Sequence, residues 1–447
     1  MRMQSEKSVS SEATGLKLLF RALKYRNYRL FFGGQTVSLI GTWMQRIAMG
    51  WLVYRMTNSP FLLGVVGFAG QIPGFLVGPF AGVIADRVNR HKMLVIAQIM
   101  AMVQASILAA LVLTNLIEVW HLVVLAVMLG IIMGFDIPAR QSFLVQMVEN
   151  KEDLGNAIAL NSSMFNMARL IGPSVAGILI AAMGEGICFL VNALTFLPVI
   201  GALLAMRVKP IEMESKNKEI WKGLREGLNY AFGFAPIKSI ILLFALISLV
   251  GFPYQVLMPI FAKDVLGGGP DTLGFLMGGT GVGAMVGAVF LASRKSVVGL
   301  ERVIAIAAGS FGLGLVVFSL SHWLWFSLMI VLVIGFGMMV QLASSTTVLQ
   351  TIVDDDKRGR VMSFHATAFM GMAPVGSLLF GSLASKIGAP YTLLIGGAVC
   401  VLGSLLFARE LPVLRKAVRP IYVKMGIIPE VATGIRTATV LTTPPRD

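Results

Sequence analysis

Apolar residues run along this chain in twelve long blocks with short polar breaks between them, at about 29–55, 60–85, 93–114, 119–140, 157–183 and 187–207, then at 237–262, 271–293, 302–320, 322–352, 361–385 and 390–409. Roughly 20 helical residues cross a hydrocarbon core, so each block is long enough to span, and the longer ones predict tilt or extension beyond the bilayer. The faintest break is the ninth-to-tenth turn, made by Ser321, His322 and Trp323 alone. The long polar stretch 208–236 separates two groups of six. Within it, apolar residues recur every three or four positions from Ile220 to Phe232 around Lys222, Arg225 and Glu226, which predicts an amphipathic helix at the membrane surface. The chain therefore divides into an N-terminal segment (1–28), a six-helix bundle (29–207), a linker (208–236), a second bundle (237–409) and a basic tail (410–447) whose last residues are expected to be disordered.

The halves repeat. Gly41 and Gly64 fall on Gly251 and Gly274, Gln146 precedes Gly155 as Gln350 precedes Gly359, and Pro173 and Pro374 follow in the next helix of each half. Two similar bundles that can rock about a central site are a transporter design.

Composition sharpens this picture. Only 13% of the 447 residues are charged, 56% are apolar and the mean hydropathy is +0.81. A soluble chain is about a quarter charged, so lipid must be the solvent for most of this surface. The net charge of +15 is carried by short breaks between apolar blocks, which is a topology signal and excludes a nucleic-acid reading. With the N-terminus inside, about 32 Lys and Arg lie on the inner side and 3 on the outer (Arg55, Lys263, Lys386), which favours an even number of spans and two cytoplasmic termini. Cys188 and Cys400 sit inside apolar blocks and read as free buried thiols; the N-terminus lacks the apolar core of a signal peptide.

Between the second and third blocks stand Gly82, Asp86, Arg87, Arg90 and Lys92. A glycine that admits close helix contact, an acid and a basic cluster fit a latch that forms and breaks at the inner face, against a plain positive-inside loop. The fifth block carries Arg169, Gly172, Pro173 and Gly177, a kinked helix with small residues for tight crossing. The fourth holds Asp136, Pro138 and Arg140. The first group resembles the loop signature of the major facilitator superfamily, with Asn89 where the family usually has glycine, and the second resembles the antiporter signature of its exporting branches. With Asn27, Gly41, Trp43 and Gly359, the whole chain resembles the branch that contains the enterobactin exporter and the macrolide and drug proton antiporters.

The resemblance implies an all-α membrane protein with the major facilitator fold, twelve transmembrane helices in two pseudo-symmetric bundles, in a bacterial cytoplasmic (inner) membrane. It implies a secondary-active, proton-coupled exporter of an amphipathic small molecule, siderophore or drug, working by alternating access as a monomer among membrane lipids. An importer or lipid flippase of the same fold, or a non-transporting sensor or assembly partner, remains the alternative.

In that superfamily the first, fourth, seventh and tenth helices line the cavity, which nominates Gln35, Thr42, Gln45, Arg46, Tyr254, Gln255 and Gln341 as lining residues against structural hydrogen bonding. Asp136 is the candidate proton carrier unless Arg140 holds it as a structural pair. If Arg46 faces the cavity, neutral or anionic cargo fits better than a cation. Glycines every four residues (Gly70, Gly74, Gly78, Gly82; Gly279, Gly283, Gly287) lie on one face of the second and eighth helices, which in the superfamily line the boundary between halves. No Gly-Lys phosphate loop, metal-ligand spacing or nucleophile motif occurs, so no cofactor, no metal and no enzyme activity are expected.

Overall fold

Within a bilayer core a backbone must satisfy its own hydrogen bonds, and helices are how this chain does so. The computed structural model describes residues 20–208, 230–294 and 296–427, all helix and short connection with no strand. The first bundle is α1 (Arg26–Thr57), α2 (Pro60–Arg87), α3 (Arg90–Leu113), α4 (Val119–Met147), α5 (Leu154–Met183) and α6 (Glu185–Leu204). The second is α7 (Ala235–Val265), α8 (Pro270–Ala292), α9 (Leu300–Ser319), α10 (Leu324–Ile352), α11 (Asp355–Ile387) and α12 (Ala389–Lys424). Eleven of these are long and apolar enough to cross a membrane by length and composition alone. The twelfth, α1, is 32 residues long and packs on α5 and α6 in the same bundle. Its polar residues, Gln35, Ser38, Thr42, Gln45 and Arg46 among them, set it apart.

Three boundaries differ from the sequence expectation. The seventh block is one apolar run, yet α7 is interrupted at Gly251–Pro253 and ends in a π-helical turn, Phe261–Val265. Pro253 lacks the N–H that would continue the ladder. Helix α11 begins at Asp355, six residues early, because Asp355 and Asp356 favour a helix N-terminus. Helix α12 runs on through Arg409 to Lys424: Leu414, Val418 and Tyr422 are buried on one face and Arg415 pairs with Glu301 of α9 at 2.7 Å. The stretch expected as tail thus starts as an amphipathic helical extension. The linker helix expected around 220–232 lies, apart from its last residues, outside the described residues, as does the end of the tail.

The duplication is visible in the turns. Gly184 between α5 and α6 and Gly388 between α11 and α12 make the same one-residue connection at φ 84° and 86°, a conformation that favours glycine. The bundles meet through two equivalent crossings, α5 on α8 and α2 on α11. A Cβ added at Gly177 would lie 2.8 Å from the Gly274 Cα, and one at Gly64 would lie 2.9 Å from the Gly381 Cα. The four-residue glycine stripes point elsewhere. Gly70 and Gly74 pack on α4, where a Cβ at Gly130 would meet the Gly70 carbonyl at 2.8 Å, and Gly279, Gly283 and Gly287 pack on α10. These stripes tighten each bundle, and the boundary between halves is built by Gly64 and Gly67 on α2 and Gly274, Gly278 and Gly281 on α8.

Candidate functional site

The chain ends of α1 and α12 share one face of the molecule; the opposite face is the far face. At the far face the halves are joined by polar contacts. Tyr54 donates to Asp264, Lys263 donates to the Asn58 side-chain oxygen at 2.6 Å, and the Lys263 ammonium lies 5.3 Å from the Tyr54 ring centre. Toward the termini-bearing face, contacts across the boundary continue through Gly281 against Leu170 and Gly371 against Phe75. Past that depth Gly78 and Gly82 have nothing within contact of an added Cβ, and α4 and α10 form no packed pair among the described residues. The two bundles therefore part toward the termini-bearing face.

Where they part, the sequence's two central cations come together. Arg46 on α1 is exposed although it sits mid-helix. Its guanidinium carbon lies 5.0 Å from the Trp43 ring centre, and that of Arg169 on α5 lies 5.9 Å from the same ring. Trp43 is seated by Gly172, whose missing side chain leaves room for the Trp43 Cβ, and is met edge-on by Phe165 at 5.8 Å. Arg169 reaches the second bundle, with an N–H 3.2 Å from the Met338 sulfur of α10, and lies beside Tyr254 of α7. The antiporter-like group thus divides its work: Gly172 seats the ring, Gly177 closes the far crossing, buried Pro173 lies inside α5, and Arg169 spans the boundary.

Other nominated residues are placed differently. Gln45 is buried in the first bundle, donating to Gln104 at 2.9 Å and accepting from Asn192 at 2.6 Å. Thr42 donates to its own helix at Ser38. Gln255 is half-buried. Gln341 is buried on the Met338 face of α10, donating to Ser345 at 3.3 Å. The side-chain carbonyls of Gln35 and Gln341 are buried polar atoms that no protein group satisfies, which is unusual in a native interior. Asp136 is 1% exposed and fully engaged: Arg140 lies 2.7 Å from one carboxylate oxygen, and Gln98 donates to the other at 2.7 Å. Ser38 in turn donates to Gln98 at 3.4 Å. Gln98, Gln104 and Asn192 went unnoticed in the sequence, although an amide inside an apolar run is itself a signal.

At the termini-bearing face, Asn89 starts α3 as a side-chain cap, accepting from His91 N at 3.0 Å and Lys92 N at 3.2 Å with φ −61°. A left-handed glycine is not required there, so the departure from the family pattern has a local reason. Arg90 is engaged, and the side chains of Asp86 and Arg87 lie outside the described set. A second cluster ties the N-terminal segment down. Lys24 lies 2.6 Å from Asp153, Arg21 pairs with the same carboxylate, Tyr25 donates to it at 2.7 Å, and Tyr28 donates to the Ala157 carbonyl. The Lys24 hydrogen bond, then that of Tyr25, hold the Asp153 carboxyl below its ordinary pKa, and the Lys24 ammonium is raised in return.

Comparison with known proteins gives this arrangement a context. A family model described as "Transmembrane secretion effector" matches residues 19–422. The chain is 25% identical to the staphyloferrin A transporter of Staphylococcus aureus over 83% of its own length and 94% of that protein's. It is 23% identical to macrolide efflux protein A of Streptococcus pyogenes, covering 85% and 95%, and 23% identical to the multidrug efflux pump Tap of Mycolicibacterium fortuitum, covering 78% and 87%. Among solved structures it is similar to a bacterial homologue of the iron transporter ferroportin in the inward-facing state, with TM-score 0.65, 18% identity and coverage of 86% and 98%. It is also similar to an inward-facing, occupied bacterial homologue of the lysosomal transporter Spinster, with TM-score 0.68, 15% identity and coverage of 88% and 98%.

Proposed function

The chain belongs to the transmembrane secretion effector family of major facilitator transporters, and from that premise we propose that it exports an amphipathic small molecule of the siderophore or drug type by alternating access, in exchange for protons. The observation that carries this reading is the disposition of the two bundles: joined at the far face and parted at the termini-bearing face, with Arg46 and Arg169 gathered on Trp43 where they part. The strong excess of Lys and Arg in segments on the termini-bearing side supports a cytoplasmic position for that face. The far contacts then form the outer closure, and cargo enters from inside. Breaking the Tyr54–Asp264 and Lys263–Asn58 contacts while the Gly82–Lys92 loop closes the inner end completes the cycle.

For coupling, Asp136 is the one buried carboxylate well inside a first-bundle helix among the described residues, Asp153 and Glu185 standing at helix starts. Its proton is exchanged when Arg140 moves away, and α4 is one of the helices that must move as the inner opening closes. Purified protein in vesicles tests the reading directly. A pH gradient is expected to drive movement of a macrolide or a ferric-free siderophore, and cells lacking the gene are expected to accumulate it. Vesicles in which neither a pH gradient nor a potential moves any such compound overturn it.

A further inference from the structure

Two guanidinium groups at the centre of a membrane protein need something opposite them. Arg46 and Arg169 share the Trp43 ring, which sets them no farther apart than the sum of their 5.0 and 5.9 Å distances to its centre. The two groups that share this ring carry charges of the same sign. Neither forms an ion pair among the described residues, and the buried acids of the first bundle are already held: Asp136 by Arg140 and Gln98 at 2.7 Å each, Asp153 by Lys24 and Arg21, and Glu185 by Arg55. Intramembrane charge is costly and normally compensated. Here Trp43 offsets part of that cost through its ring face and orients both groups, Arg46 being exposed and Arg169 half-buried.

We propose that Arg46 and Arg169 are the anion-binding part of the transport site, and that the cargo carries a carboxylate or comparable delocalised oxyanion on an apolar body. The proposal rests on the transporter reading and names its substrate class. A guanidinium offers a planar fork that matches a carboxylate, where an ammonium would offer a point charge. Phe165, which meets Trp43 edge-on, is 45% exposed and supplies apolar surface beside the charges. A lipophilic cation finds the reverse of what it needs: like charges and no free acid. The placement also links binding to conformation. Arg169 reaches Met338 in the other bundle, so an anion drawing Arg169 toward Arg46 acts on the contact at which the halves begin to part.

The test uses the full-length protein in nanodiscs and three matched probes: 4-(1-naphthyl)butanoate, its primary amide and the corresponding amine. Calorimetry is expected to give the carboxylate an affinity about tenfold or more above the amide, the worth of a charge-assisted hydrogen bond, with the amine weakest. R46Q and R169Q each remove that advantage, bringing the carboxylate down to the amide while the amide still binds, which an unfolded variant would not do; R46K and R169K restore part of it. A lipid headgroup phosphate has related chemistry, so the measurement is repeated in phosphatidylcholine alone and in mixtures with phosphatidylglycerol. Equal carboxylate affinity in both supports a cargo site, and loss of affinity with phosphatidylglycerol assigns the cations to lipid and overturns the proposal. Amide or amine binding as tightly as the carboxylate, no carboxylate binding at millimolar concentration, or carboxylate affinity indifferent to both glutamine variants also overturns it. Efflux of an ethidium-like cation unaffected by R46Q would remove the anion site yet keep the exporter, whereas no transport of any compound removes the exporter reading itself.

Discussion

The glycine crossings at the far face offer the most direct handle on the conformational equilibrium. A methyl group placed at Gly177 would sit 2.6 Å from the Pro270 carbonyl oxygen and 2.8 Å from the Gly274 Cα; one at Gly64 would sit 2.6 Å from the Ser377 carbonyl. All of these neighbours are backbone, so no rotamer change relieves the clash and the helices themselves must separate by several tenths of an ångström. Overpacking of this kind costs about 1–3 kcal/mol. The cost falls on the conformation in which the far face is closed, so an equilibrium between two states moves by about 5- to 150-fold toward the far-open one. Alanine is the better helix former, so intrinsic propensity cannot account for a loss.

Spin labels at Leu116 and Trp323, both exposed in far-side connections of opposite halves, report the separation by pulsed dipolar spectroscopy. The native Cys188 and Cys400 are fully buried and stay unlabelled. G177A and G64A are expected to lengthen the distance. G33A and G201A, at positions with nothing within contact of a Cβ, are expected to leave it unchanged. An unaltered distance distribution in a G64A/G177A double variant that folds and inserts normally would refute the reasoning, because it would mean that these crossings do not hold the far face shut.

Three other outcomes are expected. On the proposed latch role of the Gly82–Lys92 segment, Asp86→Ala is expected to lower transport without reducing membrane insertion; unchanged efflux at normal expression removes that role. Asp136→Asn abolishes exchange driven by a pH gradient but retains substrate counterflow, whereas persistent pH-driven exchange would reassign the residue to structure. Either way Asp136→Ala strands Arg140 and lowers thermal stability by up to about 3–5 kcal/mol, and D136A/R140A recovers part of it. At the N-terminal segment, the Asp153 carboxyl is held below its ordinary value by Lys24 and Tyr25, so its contribution is complete above the ordinary aspartate range, about pH 4, and is lost as pH falls through the lower folded value. Hydrogen exchange at residues 21–25 should stay slow down to that range and accelerate below it, and D153N should show fast exchange already at neutral pH.

Much of this architecture is legible in the sequence because lipid imposes so simple a rule. A block of about 20 apolar residues has one way to satisfy its backbone, and the Lys and Arg counts then orient it. What the pattern could not convey is which face of a helix meets which neighbour. The stripe Gly70, Gly74, Gly78 is conspicuous, yet Gly70 and Gly74 serve α4 within the bundle, while the crossing between halves uses Gly64 and Gly67, less than two turns away. Gln35, Gln45 and Arg46 lie within a few turns of one another on α1, but Gln45 turns into an amide network with Gln104 and Asn192, while Arg46 turns to the opening. Helical periodicity fixes angles around one axis; the partner's position comes only from packing all twelve. The approach of Arg46 and Arg169 through Trp43 joins residues more than a hundred positions apart, and no local pattern encodes it.

An anionic cargo changes what the coupling ion has to accomplish. Across an inside-negative membrane, moving one negative charge outward is favoured by about 2.3 kcal/mol per 100 mV, which at 1.4 kcal/mol per decade is a concentration ratio of about 50. A cationic drug faces the same quantity with the opposite sign, so a proton moving inward in its cycle does little more than cancel the electrical penalty. For the anion that Arg46 and Arg169 are proposed to hold, the potential alone suffices, and a proton carried by Asp136, on the coupling proposed above, would multiply an already favourable gradient. This ordering accounts for a placement that is otherwise awkward for a proton carrier. Asp136 is ion-paired to Arg140, bonded to Gln98 and almost wholly buried. A transporter that depended on the proton for every turnover would gain from a carboxylate in the opening itself, exposed to both cargo and water. One in which the potential carries the main load tolerates a titrating group held back within the bundle, engaged only when α4 moves.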